Sequence, residues 1–129
     1  MTIAVGYKQT ARAKSALRSA AAEAVLHDEQ LAVLCIIPGA DPPTTEDRTL
    51  TEQLAAELAD FPDLTWTLHR APEGFDTADA LLDLTDTVDA RLLVIGSRRR
   101  RPIGKLILGS TAQQVLLKSL KPVLVVKAT

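Results

Sequence analysis

The chain has 129 residues, 47% of them apolar, which suits a single domain over residues 1–129 with its own core. A formal net charge of −1 excludes a surface built throughout for nucleic acid, so any polyanion site must be local. The lone cysteine excludes an internal disulfide, and no apolar run reaches the roughly 20 residues that a membrane span needs.

The opening TIAV is short, apolar and β-branched, and predicts a first strand from about Thr2 to Gly6 that ends in the polar connection GYKQT. This start has neither the basic leader nor the apolar core of a signal peptide, so a cytoplasmic protein is expected. From Arg12 onward Ala13, Leu17, Ala20, Ala24 and Val25 recur at spacings of three and four, the inner face of an amphipathic helix. The run Leu31 to Ile37, closed by Pro38 and Gly39, predicts a strand covered on both faces, with Cys35 as a small buried hydrophobe.

ADPPTTEDR reads as the longest loop of the chain and a candidate lid, after which Leu50, Leu54 and Leu58 mark one face of a second helix. Phe61-Pro62-Asp63 ends that helix before the alternating TWTLHR, a third strand. A third helix begins at about Asp76, with Ala80, Leu81, Leu84 and Val88 inward and Asp79, Asp83 and Asp86 towards water. Leu92 to Ser97 is a fourth strand, Ser110 to about Ser119 a fourth helix with Ala112, Val115 and Leu116 inward, and Val123 to Lys127 a fifth strand whose start Pro122 sets.

Strands and helices therefore alternate throughout, the pattern of an α/β fold with a doubly wound, five-stranded parallel sheet and helices on both faces. Ligands of such sheets bind beyond the carboxyl ends of the strands, where the winding reverses. That rule directs attention to the ends of strands one and four, at Gly6 and Gly96.

The stretch GSRRRRPIGKLILGST leaves a strand, crosses a basic loop and enters a helix at Gly109, Ser110 and Thr111. A helix N-terminus presents unpaired N–H groups and a positive dipole end to an anion. Gly109 permits close approach, Ser110 or Thr111 supplies a hydroxyl, and Arg98, Arg99, Arg100, Arg101 and Lys105 suit an anion with several charges. The plainer reading stands beside it: Ser110 is only an N-cap and the arginines are only solvated. Neither G-x4-G-K-[ST] nor G-x-G-x-x-G is present, so the common phosphate-binding loops are excluded.

This segment, with LLVIGS before it and ILGSTAQQVLLKSLKPVLVVK through the last strand, resembles the universal stress protein family, whose nucleotide-binding members carry G-x2-G-x9-G-[ST] here. Gly96, Gly109 and Ser110 keep that spacing, while Arg99 stands at the second glycine, and Gly6 stands where nucleotide-binding relatives place an aspartate just after strand one. The resemblance covers essentially the whole chain and implies a Rossmann-like sheet of strand order 3-2-1-4-5. It further implies a stress-response protein that binds an adenine nucleotide (ATP, AMP or cyclic AMP, with magnesium accompanying ATP) and performs at most weak nucleotide hydrolysis.

The nucleotide-binding positions carried over are Ala4, Val5, Gly6, Ile36, Gly96, Arg99, Gly109, Ser110 and Thr111, with Ile36 offering its backbone near an adenine. Arg98, Arg100, Arg101 and Lys105 are the further anion contacts, and the resemblance implies a homodimer through Val123 to Val126. The alternative is a nucleotide-independent dimeric module in which Gly6 and Arg99 mark a degenerate site. Charge contact of the arginine run with RNA, DNA or an acidic protein ranks below both, since no aromatic platform lies beside it.

Other residues read more plainly. His27 is a helix-end residue beside Asp28, and His69 has no second ligand at metal spacing. Trp66 is expected in the core. Asp41, Glu46 and Asp47 are loop acids, more often solvated than bound to magnesium. No nucleophile, base and acid constellation is present, so no catalytic residue and no metal site is assigned.

Overall fold

The computed structural model describes residues 1–7, 11–35, 45–70, 76–97 and 109–127. Its elements are β1 (Thr2–Tyr7), α1 (Ala11–Leu26), β2 (Gln30–Cys35), α2 (Thr45–Glu57), β3 (Trp66–Arg70), α3 (Thr77–Thr87), β4 (Ala90–Gly96), α4 (Ser110–Lys118) and β5 (Val123–Val126). The five strands form one parallel sheet in the order β3-β2-β1-β4-β5, as the resemblance implied.

Strand alternation divides the core into two layers. Ile3, Val5 and Tyr7 of β1, with Leu31, Val33 and Cys35 of β2, lie against α1 and the three leucines of α2 and its end, Leu50, Leu54 and Leu58. Ala4, Leu34, Leu93 and Ile95 point the other way, against Ala78, Ala80, Leu81 and Leu84 of α3 and Ala112 and Val115 of α4. Covering on both faces explains why β1 and β2 read as unbroken apolar runs and not as alternating ones. Trp66 is half-buried against the α1 and α2 layer, at the edge of the core.

Two inward assignments are corrected. Val25 and Leu116 are each 41% exposed. In α1 the buried stripe is Ala13, Ala16, Leu17, Ala20, Ala21 and Ala24, so Val25 lies one residue, about 100°, past its last member. In α4 the stripe is only Ala112 and Val115, because the sheet beneath ends at the edge strand β5.

The second loop is shorter than expected. Helix α2 already begins at Thr45, so Glu46 and Asp47 lie on its first turn and not in the loop. Of the candidate lid, residues 40–48, the last four belong to α2, and 40–44, Asp41 included, lie outside the described residues. The expected strand bounds also shift: β1 runs to Tyr7, which pairs in register with Cys35, and β4 starts two residues earlier, at Ala90. Among the described residues no helix is long and apolar enough to cross a membrane.

Both α1 and α3 hand over to the following strand through an aspartate in the left-handed region, Asp28 at φ 52° and Asp89 at φ 49°. At the first of these Glu29 N–H donates to Ala24 O at 2.8 Å, so the turn back towards the sheet is tied to the last turn of the helix.

Candidate nucleotide site at the switch point

The direction of winding, not of the strands, reverses between β1 and β4. From β1 the chain winds through α1 towards β2 and β3, and from β4 it winds through α4 to β5. The crevice such a sheet opens therefore lies beyond Tyr7 and Gly96 and is bordered by the start of α4.

Of the candidate residues on β1, Ala4 and Val5 are fully enclosed, one in each core layer, and meet no surface. Gly6 is in the β1–β2 ladder opposite Leu34, and so is not the residue that follows the strand. A Cβ on Gly6 would stand 2.8 Å from Leu81 Cδ2 of α3. The Leu81 side chain fills the space above Gly6, and the position just after β1 belongs to Lys8, outside the described residues. The expected place of Gly6, just after strand one, is corrected: it lies inside the β1–β2 ladder.

On the other side of the switch point, Gly96 pairs with Val126 at the end of β4, and Ser97 N–H donates to Val126 O at 2.8 Å. Gly109 is the N-cap of α4, extended at φ −70° and ψ 166°, and Gln113 N–H donates to its carbonyl at 3.0 Å. Ser110 is thus the first helical residue and not the N-cap, which corrects the plainer reading of its hydroxyl. The cap residue, a glycine, makes no side-chain hydrogen bond to the first-turn N–H groups of α4. Gly96, Gly109, Ser110 and Thr111 thus belong to the two elements that border the crevice. Ile36, Arg98, Arg99, Arg100, Arg101 and Lys105 lie outside the described residues.

Tyr7 ends β1 on the α1 and α2 side, 2% exposed. Burial pushes its phenol above the ordinary 10.0, and the Glu57 carboxylate and Cys35 thiol push the same way, so it is a neutral group at physiological pH. Cys35 is buried beside it and behaves as core.

The two histidines have neighbours of their own. His69 Nε2 lies 2.9 Å from Thr67 Oγ1, and His27 Nε2 lies 3.2 Å from Glu23 Oε2, a partner one helical turn back on α1. No group of three or more metal-binding side chains occurs among the described residues.

Sequence reasoning passed over Ser97. The alternation Leu93, Ile95, Ser97 carried the signal, since it places a hydroxyl at the next position of a face that is otherwise apolar.

Comparison with known proteins supplies relatives of the same kind. A universal stress protein of Mycolicibacterium smegmatis is 57% identical over 58 residues, which is 45% of this chain and 45% of that protein, so the match spans less than half of the relative's length. The structure of a universal stress protein from Archaeoglobus fulgidus superposes with a TM-score of 0.76 at 35% identity, covering 98% of each chain. A structure of the universal stress protein from Archaeoglobus fulgidus in complex with dAMP superposes at 0.73 with 30% identity, again over 98% of each. The sequence model described as the universal stress protein family matches residues 1–127, and with the parallel 3-2-1-4-5 sheet these relationships show that the chain belongs to the universal stress protein family.

Proposed function

We propose that this chain is a stress-response protein that binds an adenine nucleotide at the switch-point crevice, with the phosphate at the start of α4 and little or no catalysis. The observation that carries the reading is the N-terminus of α4, whose cap is a glycine with no side-chain hydrogen bond. An anion is the natural partner of such an end. The retained spacing of Gly96, Gly109 and Ser110 supports it, as does the dAMP held by an Archaeoglobus fulgidus relative. Arg98 to Arg101 and Lys105 follow directly on β4 in the chain and supply cations for the phosphate. Magnesium would arrive with a triphosphate, held by the nucleotide's own phosphate oxygens.

The test is isothermal titration of ATP, ADP, AMP and cyclic AMP into the protein, with and without magnesium, beside a Gly109→Glu variant. Saturable binding that the variant abolishes is the expected result. No heat with any of the four at millimolar concentration overturns it.

A second reading rests on a separate observation. Strand β5 is an edge of the sheet, and Leu124 on it is 36% exposed, with Leu117 and Leu120 nearby in the chain at 85% and 97%. An apolar edge of this kind needs cover, and a second copy of β5 supplies it. The chain is then a homodimer through Val123 to Val126, a property that survives even where no nucleotide binds.

A further inference from the structure

Parallel ladders seldom carry an extra residue, yet β4 has one where it meets β1. Thr2 opposes Ala90 and Ile3 opposes Leu92, so Arg91 has no partner in the register. From Leu92 onward the strand alternates regularly: Leu92 and Val94 face the layer of α1 and α2, and Leu93 and Ile95 face the layer of α3 and α4. Ala90 breaks that alternation. Two residues before Leu92, it belongs by period on the α1 and α2 side, but it is packed in the α3 and α4 layer and is 0% exposed.

A β4 without the extra residue would set Arg91 opposite Thr2 and place its side chain in the enclosed site that Ala90 fills, among Ala80, Leu81 and Leu84 of α3. A guanidinium in such a layer loses water and gains no carboxylate. The same regular register would take the arginine away from Glu29, whose side chain is 5% exposed, and leave a nearly buried carboxylate unpaired. The bulge removes both penalties at once. It turns Arg91 out of the α3 layer, and Arg91 Nε then donates to both oxygens of Glu29. Packing makes no such demand, since an alanine fills the enclosed site in either register.

We propose that Arg91 and Glu29 are a register lock: charge, and not packing, holds the start of β4 one residue out of step with β1, and a regular ladder is the second state that the pair excludes. Slip between the two states moves residue 90 by one position, about 3.3 Å along the strand. It is confined to the amino end of the sheet, because Ile3 with Leu92 and the pairs after it keep their partners. The lock is therefore independent of any ligand in the switch-point crevice at the opposite end. A polar pair kept for the register it specifies, more than for the stability it adds, is the best-attested use of buried charge.

The experiment reads the register from nuclear Overhauser contacts between Thr2 and β4, in the parent, in Glu29→Gln, and in the double variant Arg91→Ala with Glu29→Gln. The parent should show Thr2 opposite Ala90. In the double variant the introduced alanine fits the enclosed site, so Thr2 should lie opposite position 91 and the extra residue should be gone. Glu29→Gln alone should keep the bulge, because the arginine is still shut out of the α3 layer. A double variant with Thr2 still opposite Ala90 overturns the lock and assigns the register to packing. A double variant that does not fold overturns it too, since a regular ladder is then not an available state. Loss of the bulge in Glu29→Gln alone also overturns it, because exclusion of Arg91 from the core would then not be what sets the register.

Discussion

Arg91 and Glu29, 62 residues apart in the chain, meet at the amino end of the sheet. Arg91 Nε donates to both Glu29 oxygens, at 2.9 and 3.1 Å, and its NH2 group lies 2.7 Å from Oε1. A register shift makes the contact: Thr2 opposes Ala90 and Ile3 opposes Leu92, so Arg91 is an extra residue on β4 whose side chain is turned across β1 towards the start of β2.

The hydrogen bond from Arg91 holds the Glu29 carboxyl below its ordinary value of 4.5, against an opposing effect of burial. A carboxyl whose pKa is depressed in the folded state adds stability at pH values above its unfolded pKa, and that contribution disappears as pH falls through the folded one. Acid unfolding should therefore steepen below pH 4.5, and Glu29→Gln should flatten that limb while lowering stability at neutral pH. Denaturant midpoints measured from pH 7 to pH 3 check this. A variant with the parent's acid limb would contradict it.

Gly6 and Leu81 should be energetically coupled. Gly6→Ala puts a methyl 2.8 Å from Leu81 Cδ2 in a packed layer, a change expected to cost about 1–3 kcal/mol. Leu81→Ala alone should cost about 2–5 kcal/mol by leaving a cavity. In the double variant the new methyl occupies part of that space, so the combined loss should fall short of the sum. Urea unfolding of the four proteins reads the coupling, and strict additivity would refute the contact.

The left-handed turns make a prediction of opposite sign. At φ 52° Asp28 tolerates a conformation that glycine adopts without strain, so Asp28→Gly should leave stability level or raise it by up to about 1 kcal/mol. Asp28→Val, with a branched Cβ at the same φ, should lower it by roughly 1–2 kcal/mol. Melting temperatures of the pair give the ranking, and a valine variant as stable as the glycine one would disprove the strain.

For the proposed dimer, Leu124→Lys places a charge on the exposed edge strand, as natural edges do to block pairing. Sedimentation equilibrium should show the parent dimeric and the variant shifted towards monomer, with the far-ultraviolet spectrum retained. A monomeric parent at all concentrations would remove the β5 pairing.

The order and kind of every element were legible in the sequence, because they depend on local periodicity: unbroken apolar runs such as Leu31 to Cys35 for strands covered on both faces, and leucines four apart at Leu50, Leu54 and Leu58 for α2. The spacing of Gly96, Gly109 and Ser110 was legible for the same reason, since it lies within one connection. What the tertiary structure alone decided involves partners distant in sequence. Gly6 reads as the end of a strand until Leu81 is seen above it, and Ser97 reads as a strand-end polar residue until packing encloses it and leaves its hydroxyl unpaired. Arg91 reads as an ordinary strand residue until one extra position in β4 turns it onto Glu29. Periodicity fixes which face a residue occupies, whereas the element that covers that face, and how closely it approaches, depends on the packing of the whole chain.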